Sequence, residues 1–144
     1  MKRKSSIVPF LIVFALTKTS TAHAQRLDDI VDIIAFAWQH GDAKALIAMG
    51  ARDGIAIETP NGRSGPMGAR QAIAVLRRVF VERETVSLKT GMTQIVGGSP
   101  KRAFTAMNWT VRAPDTTQSE RYTIYLELVS EGERWHITQI RILP

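Results

Sequence analysis

Apolar positions recur every three or four residues over Leu27, Ile30, Val31, Ile34 and Trp38, with Asp28 and Asp29 at the start. That spacing predicts an amphipathic helix carrying acids at its positive end, closed by His40-Gly41. Asp42 then occupies an N-cap position ahead of Ala43, Leu46, Ile47 and Met49, so a short second helix should fold back on the first, with Gly50 ending it. Residues 54–59 (GIAIET) alternate like a strand, and Pro60-Asn61-Gly62 signals a turn. Ser64-Gly65-Pro66 is expected to open the longest helix, with Ala69, Ala72, Ile73, Leu76, Val79 and Phe80 on its buried side. From Thr85 the period becomes two. Runs at 85–96, 102–113, 121–129 and 134–143 are rich in β-formers and are divided by Gly97-Gly98-Ser99-Pro100, Pro114-Asp115 and Glu131-Gly132-Glu133.

Helix, helix, strand, helix and then four consecutive strands is an α+β plan. It implies a meandering antiparallel sheet with the helices gathered on one face. Strands of about ten residues twist and bulge rather than stay flat, so the sheet should curl around the long helix. No repeat or low-complexity linker interrupts residues 25–144, which read as one domain.

The first 24 residues have a different pattern. Lys2-Arg3-Lys4 precedes an apolar stretch over 7–16 (IVPFLIVFAL), and Ala22-His23-Ala24 supplies a small-x-small cleavage site. This is the layout of a secretory signal peptide over residues 1–24, with Gln25 as the new N-terminus. The apolar stretch is half of the roughly 20 residues that cross a bilayer. An exported protein, periplasmic or extracellular and with no membrane attachment after cleavage, is the expectation. Charge depends on the same segment. The whole chain has 144 residues, with 19 Lys+Arg against 13 Asp+Glu. The leader holds four of the cations and no acid, so the remainder is nearly balanced, too little excess to neutralise a run of phosphates. Arg70, Arg77, Arg78 and Arg83 lie on a helix face with Glu82 and Glu84 nearby and no interleaved aromatics, which argues against nucleic acid. Cysteine is absent, which excludes disulfides, thiolate metal sites and a cysteine nucleophile.

Several short segments bear a resemblance. The Gly41-Asp42-Ala43 link with Leu46 after it, Gln71-Ala72, the Leu76-x-x-x-Phe80 spacing and the closing Trp135-x-Ile137 strand resemble the nuclear transport factor 2-like superfamily. That cone-shaped, cystatin-like fold also includes ketosteroid isomerase, polyketide cyclases and dehydratases. More narrowly, residues 71–80 (QAIAVLRRVF), Lys89-Thr90-Gly91 and residues 121–126 (RYTIYL) are similar to small exported bacterial domains of this fold without an established activity. The resemblance implies a pocket at the open end of the cone, lined by the concave sheet face and the first helix. It also implies sheet-mediated homodimers in many relatives. Enzymes of the superfamily place a carboxylate base and an acid donor in the pocket. Here the first helix carries Phe36 and Trp38 where such enzymes tend to carry tyrosine, and Glu127 is the only mid-strand carboxylate after residue 100.

Trp38, Met92, Met107, Trp109, Tyr125 and Trp135 can supply either an ordinary core or an irregular apolar pocket. Tyr125 and Asn108 sit between apolar neighbours in their strands and bring hydrogen-bonding tips. His136 adds an imidazole between Trp135 and Ile137. The ligand-binding set expected from sequence is therefore Trp38, Asn108, Trp109, Tyr125 and His136, with no catalytic residue, no metal and no cofactor. The leading expectation is a non-catalytic domain that binds a small apolar or amphiphilic molecule or a protein partner. A rival is an isomerase, cyclase or hydratase with Glu58 or Asp42 as base and Tyr125 or His136 as proton donor. A third is a purely structural homodimer. Strand parity decides whether Glu58 enters the pocket, and alternation alone leaves it open: Ile55 and Ile57, or Ala56 and Glu58, could face it.

Overall fold

The computed structural model describes the backbone of residues 19–144 and the side chains from Arg26 onward. The signal peptide expected over residues 1–24 therefore lies, but for the backbone of its last six residues, outside the described residues. Helix α1 (Thr19–Gln39) runs past the expected cleavage point, and Leu27 is the first residue of the described core. Gly41, in the left-handed region at φ +64°, ends α1 and turns the chain back. Asp42 caps α2 (Ala43–Ala48), accepting a hydrogen bond from the Ala45 N–H at 2.9 Å, as the sequence predicts.

Strands β1 (Ile55–Thr59), β2 (Gly62–Met67), β3 (Glu84–Val96), β4 (Arg102–Arg112), β5 (Ser119–Glu131) and β6 (Arg134–Leu143) form one sheet, with α3 (Ala69–Glu82) between β2 and β3. Their order across the sheet is β2-β1-β6-β5-β4-β3. Strands β3 to β6 are the expected antiparallel meander, and β1 joins β6 in parallel. The sheet is thus mixed rather than wholly antiparallel. A parallel neighbour requires a crossover, and the chain from β1 through β2, α3 and strands β3 to β5 provides it.

Two expectations need correction. Residues 62–67 (GRSGPM) form an edge strand instead of opening a helix. Only the hairpin at Pro60-Asn61 selects that conformation, and Pro66 is tolerated because an edge strand has one unpaired side. Helix α3 consequently begins at Ala69, and α1 rather than α3 is the longest helix described.

Register settles the parity. On β4, Ala103, Thr105, Met107, Trp109 and Val111 are buried against the helices, as are Ile124, Leu126 and Leu128 on β5 and Ile55 and Ile57 on β1. Strand β6 changes phase within itself. Leu128 pairs with Ile137 and Glu127 with Gln139, leaving Thr138 as a bulge whose hydroxyl donates to the Glu127 carbonyl at 3.2 Å. Ile137 and Ile140, three apart, therefore both face the core.

Candidate functional site

An aromatic cluster packs on the helix side of the sheet. Trp38 of α1 stands edge-on to Phe80 of α3, with centroids 5.3 Å apart, and to Trp109 of β4 at 5.5 Å. Trp38 and Trp109 are both fully buried. Trp109 donates its indole N–H to the Thr85 hydroxyl at 2.9 Å. Among the described residues the Trp38 indole N–H has no hydrogen-bond acceptor, and ring faces offer it only the weaker N–H···π kind of contact.

The opposite face has a different chemistry. Strand pairing places residues in rows that cross the sheet. In one row Glu58 of β1 meets Arg63 of β2 and Arg141 of β6, and Arg141 is opposite Tyr125 of β5, which is opposite Ala106 of β4. The next row toward the start of β4 contains Gln139, Glu127, Phe104 and Gln94. On the other side of the Tyr125 row, Thr123, Asn108 and Lys89 line up, followed by Arg121, Thr110 and Ser87. Phe104 and Tyr125 are 42% and 45% exposed, and Met92, at an irregularity of β3 beside Ala106, is 81% exposed. These side chains border a groove of about 220 Å³. An adjoining groove of about 530 Å³ is lined by Ser87, Lys89, Asn108, Thr110, Arg121 and Thr123.

The five residues expected to bind a ligand are thus divided. Trp38 and Trp109 belong to the aromatic core, whereas Asn108 and Tyr125 share the outer face, in neighbouring grooves; Trp109, though buried, also borders the groove of Asn108. His136 lies apart from both groups. It borders a cleft of about 520 Å³ between α1, α2 and the β5–β6 hairpin, together with Arg26, Met49 and Arg134. Its Nε2 is 3.9 Å from the Glu131 carboxylate. Sequence reasoning missed Phe104, Lys89 and Arg121. Their strands alternate in phase with Asn108 and Tyr125 once the pairing is known, but the pairing itself is not in the local sequence.

Neither proposed base faces an interior pocket. Glu58 points to the outer face and is clamped by Arg141 Nε at 2.7 Å and Arg63 at 3.1 Å. Hydrogen bonds from Arg141 and then Arg63 hold its carboxyl below the ordinary glutamate range, outweighing the opposing effect of partial burial. A general base working near neutrality needs the opposite shift. Asp42 is engaged as the α2 cap. Among the described residues no group of three or more His, Asp or Glu side chains converges as a metal site requires.

Comparison with solved structures matches this geometry. A domain of unknown function with a cystatin-like fold from Nostoc punctiforme superposes with a TM-score of 0.65 at 15% identity, over 87% of this chain and 78% of that one. A hypothetical protein with a ketosteroid isomerase-like fold from Catenulispora acidiphila, solved with trimethylamine, gives 0.60 at 18% identity over 80% and 84%. A protein whose name marks it as an NTF2 variant gives 0.62 at 10% identity over 83% and 97%. No family model matches the chain, and no curated protein does. The chain has the nuclear transport factor 2-like, cystatin-like cone fold. At these identities the likeness establishes the fold, and a shared fold does not carry a shared reaction.

Proposed function

We propose that this chain is an exported, non-catalytic binding domain, and that it takes a small apolar or amphiphilic molecule on the outer face of its sheet rather than inside the cone. The observation that carries this reading is the exposure of Met92, Phe104 and Tyr125 around one groove, while the large aromatics of the interior are packed against each other. Large apolar side chains clustered on a surface mark interaction sites. The arginine clamp on Glu58 and the capping role of Asp42 support binding over acid–base chemistry. Export rests on the basic and apolar leader.

The test uses residues 25–144, which contain the whole described core, and an uncharged fluorescent probe such as Nile red. Saturable binding that weakens at least fivefold in Phe104→Ser and Tyr125→Ser is expected. Absence of binding, or binding indifferent to both changes, would overturn the reading. Sedimentation of the same protein checks the surface independently, since a dimer that closes over Phe104 would leave no site for the probe.

A further inference from the structure

The two grooves on the outer face are neighbours with different chemistry. Phe104, Ala106, Asn108 and Thr110 point to the same side of β4, two residues apart. Each such step is about 7 Å along a strand, so Ala106 of the apolar groove and Asn108 of the polar one are one step apart, within the span of a single alkyl chain. On β5 the same step leads from Tyr125 to Thr123.

The polar end is also unbalanced in charge. Four outward arginines of the sheet are matched by glutamates: Arg63 and Arg141 by Glu58, Arg102 by Glu127, and Arg112 by Glu84. Lys89 and Arg121 border the polar groove, no Asp or Glu side chain lines it, and Pro144, which bears the terminal carboxylate, is the one anionic residue of the lining, so the cations there are in excess by one. Among the described residues neither cation is engaged in an ion pair. They flank the Asn108 amide and the hydroxyls of Ser87, Thr110 and Thr123. Two cations with surrounding donors form a receptor for a compact anion.

Resting on the outer-face reading above, we infer that the ligand is a free single-chain anionic amphiphile. Its carboxylate or phosphate head sits between Lys89 and Arg121 beside Asn108, and its apolar chain lies along Ala106, Tyr125, Phe104 and Met92. Charge complementarity selects this occupant over an uncharged or cationic one. A membrane surface would need cations spread over a broad plane, whereas here the two unpaired cations border one polar groove beside a narrow apolar one.

Titration calorimetry with decanoate, decanol and decyltrimethylammonium, each below its aggregation limit, tests this, with amide shifts locating the site. Decanoate should bind at least tenfold tighter than the other two and shift the amides of Ala106 and Asn108. The double variant Lys89→Gln, Arg121→Gln should bring decanoate down to the decanol level, while Phe104→Ser weakens both compounds alike. Both charged positions are exposed, and an unchanged near-ultraviolet dichroism spectrum confirms that the variant is folded. Equal affinity for decanoate and decanol, or a double variant that keeps the preference, overturns the anionic head site and leaves the apolar reading standing. Failure of all three compounds overturns both. Binding to anionic phosphatidylglycerol vesicles without binding to free decanoate overturns the inference in favour of a membrane surface.

Discussion

Trp38 on α1 and Trp109 on β4 meet at right angles, with planes at 89° and centroids 5.5 Å apart, and Phe80 completes the cluster from α3. One contact thus ties the first helix to the meander. The three rings pack against one another between α1, α3 and β4.

Removing one ring should open a cavity that its neighbours cannot close. Trp38→Ala is expected to lose about 3–5 kcal/mol of stability, and Trp38→Phe much less, measured by urea denaturation. A loss under about 1 kcal/mol for the alanine variant would mean that the cluster does not hold α1 to the sheet.

The hydroxyl of Thr85 is the acceptor for the Trp109 indole N–H. Thr85→Val keeps the shape and removes the acceptor, leaving a donor in the core unpaired at a cost of about 1–3 kcal/mol. Thr85→Ser should remain near the parent protein. Equal stability of the valine and serine variants would show that the hydrogen bond contributes nothing net.

A Cβ added at Gly91 would stand 2.9 Å from the Ala106 carbonyl oxygen, a backbone atom that cannot swing aside. Gly91→Ala should therefore cost about 1–3 kcal/mol and shift the β3 irregularity that presents Met92. A crystal structure of the variant with β3 unmoved would refute this.

Glu58 gives the fold a defined acid sensitivity. Its carboxyl is held below the ordinary value by Arg141 and Arg63, so the folded state favours the ionised form. The stabilisation is complete above the unfolded-state pKa and is lost as pH falls through the lower, folded-state value. Glu58→Gln should be less stable than the parent protein at neutral pH, and the difference should shrink as the solution is acidified below the ordinary carboxylate range. A difference constant from neutrality down to the acid limb of a thermal-melt series would exclude this linkage.

Much of the architecture is readable from residue order. The Leu27–Trp38 stripe, the Asp42 cap and the four late β-runs each rest on local physics: helical periodicity, an unpaired N–H seeking an oxygen, and alternation with turn residues between. Strand β2 is not readable, because GRSGPM has poor intrinsic strand character and becomes a strand only as the partner of β1. The Thr138 bulge is equally hidden. It rephases β6 through pairing with β5, which no window on β6 alone contains.

By itself the sequence determined the leader pattern, the helix and strand order, the supply of apolar side chains and the cone-fold resemblance, because each is a property of neighbouring residues. Tertiary structure alone decided which side of each strand meets the helices. That choice placed Trp38 and Trp109 in the core, turned Glu58 outward into an arginine clamp, and set Asn108, Tyr125, Lys89 and Arg121 on one face. The physical reason is the two-residue period of a strand. A shift of one residue exchanges the two faces while leaving the local pattern intact, so only long-range pairing against a hydrophobic partner can choose between them.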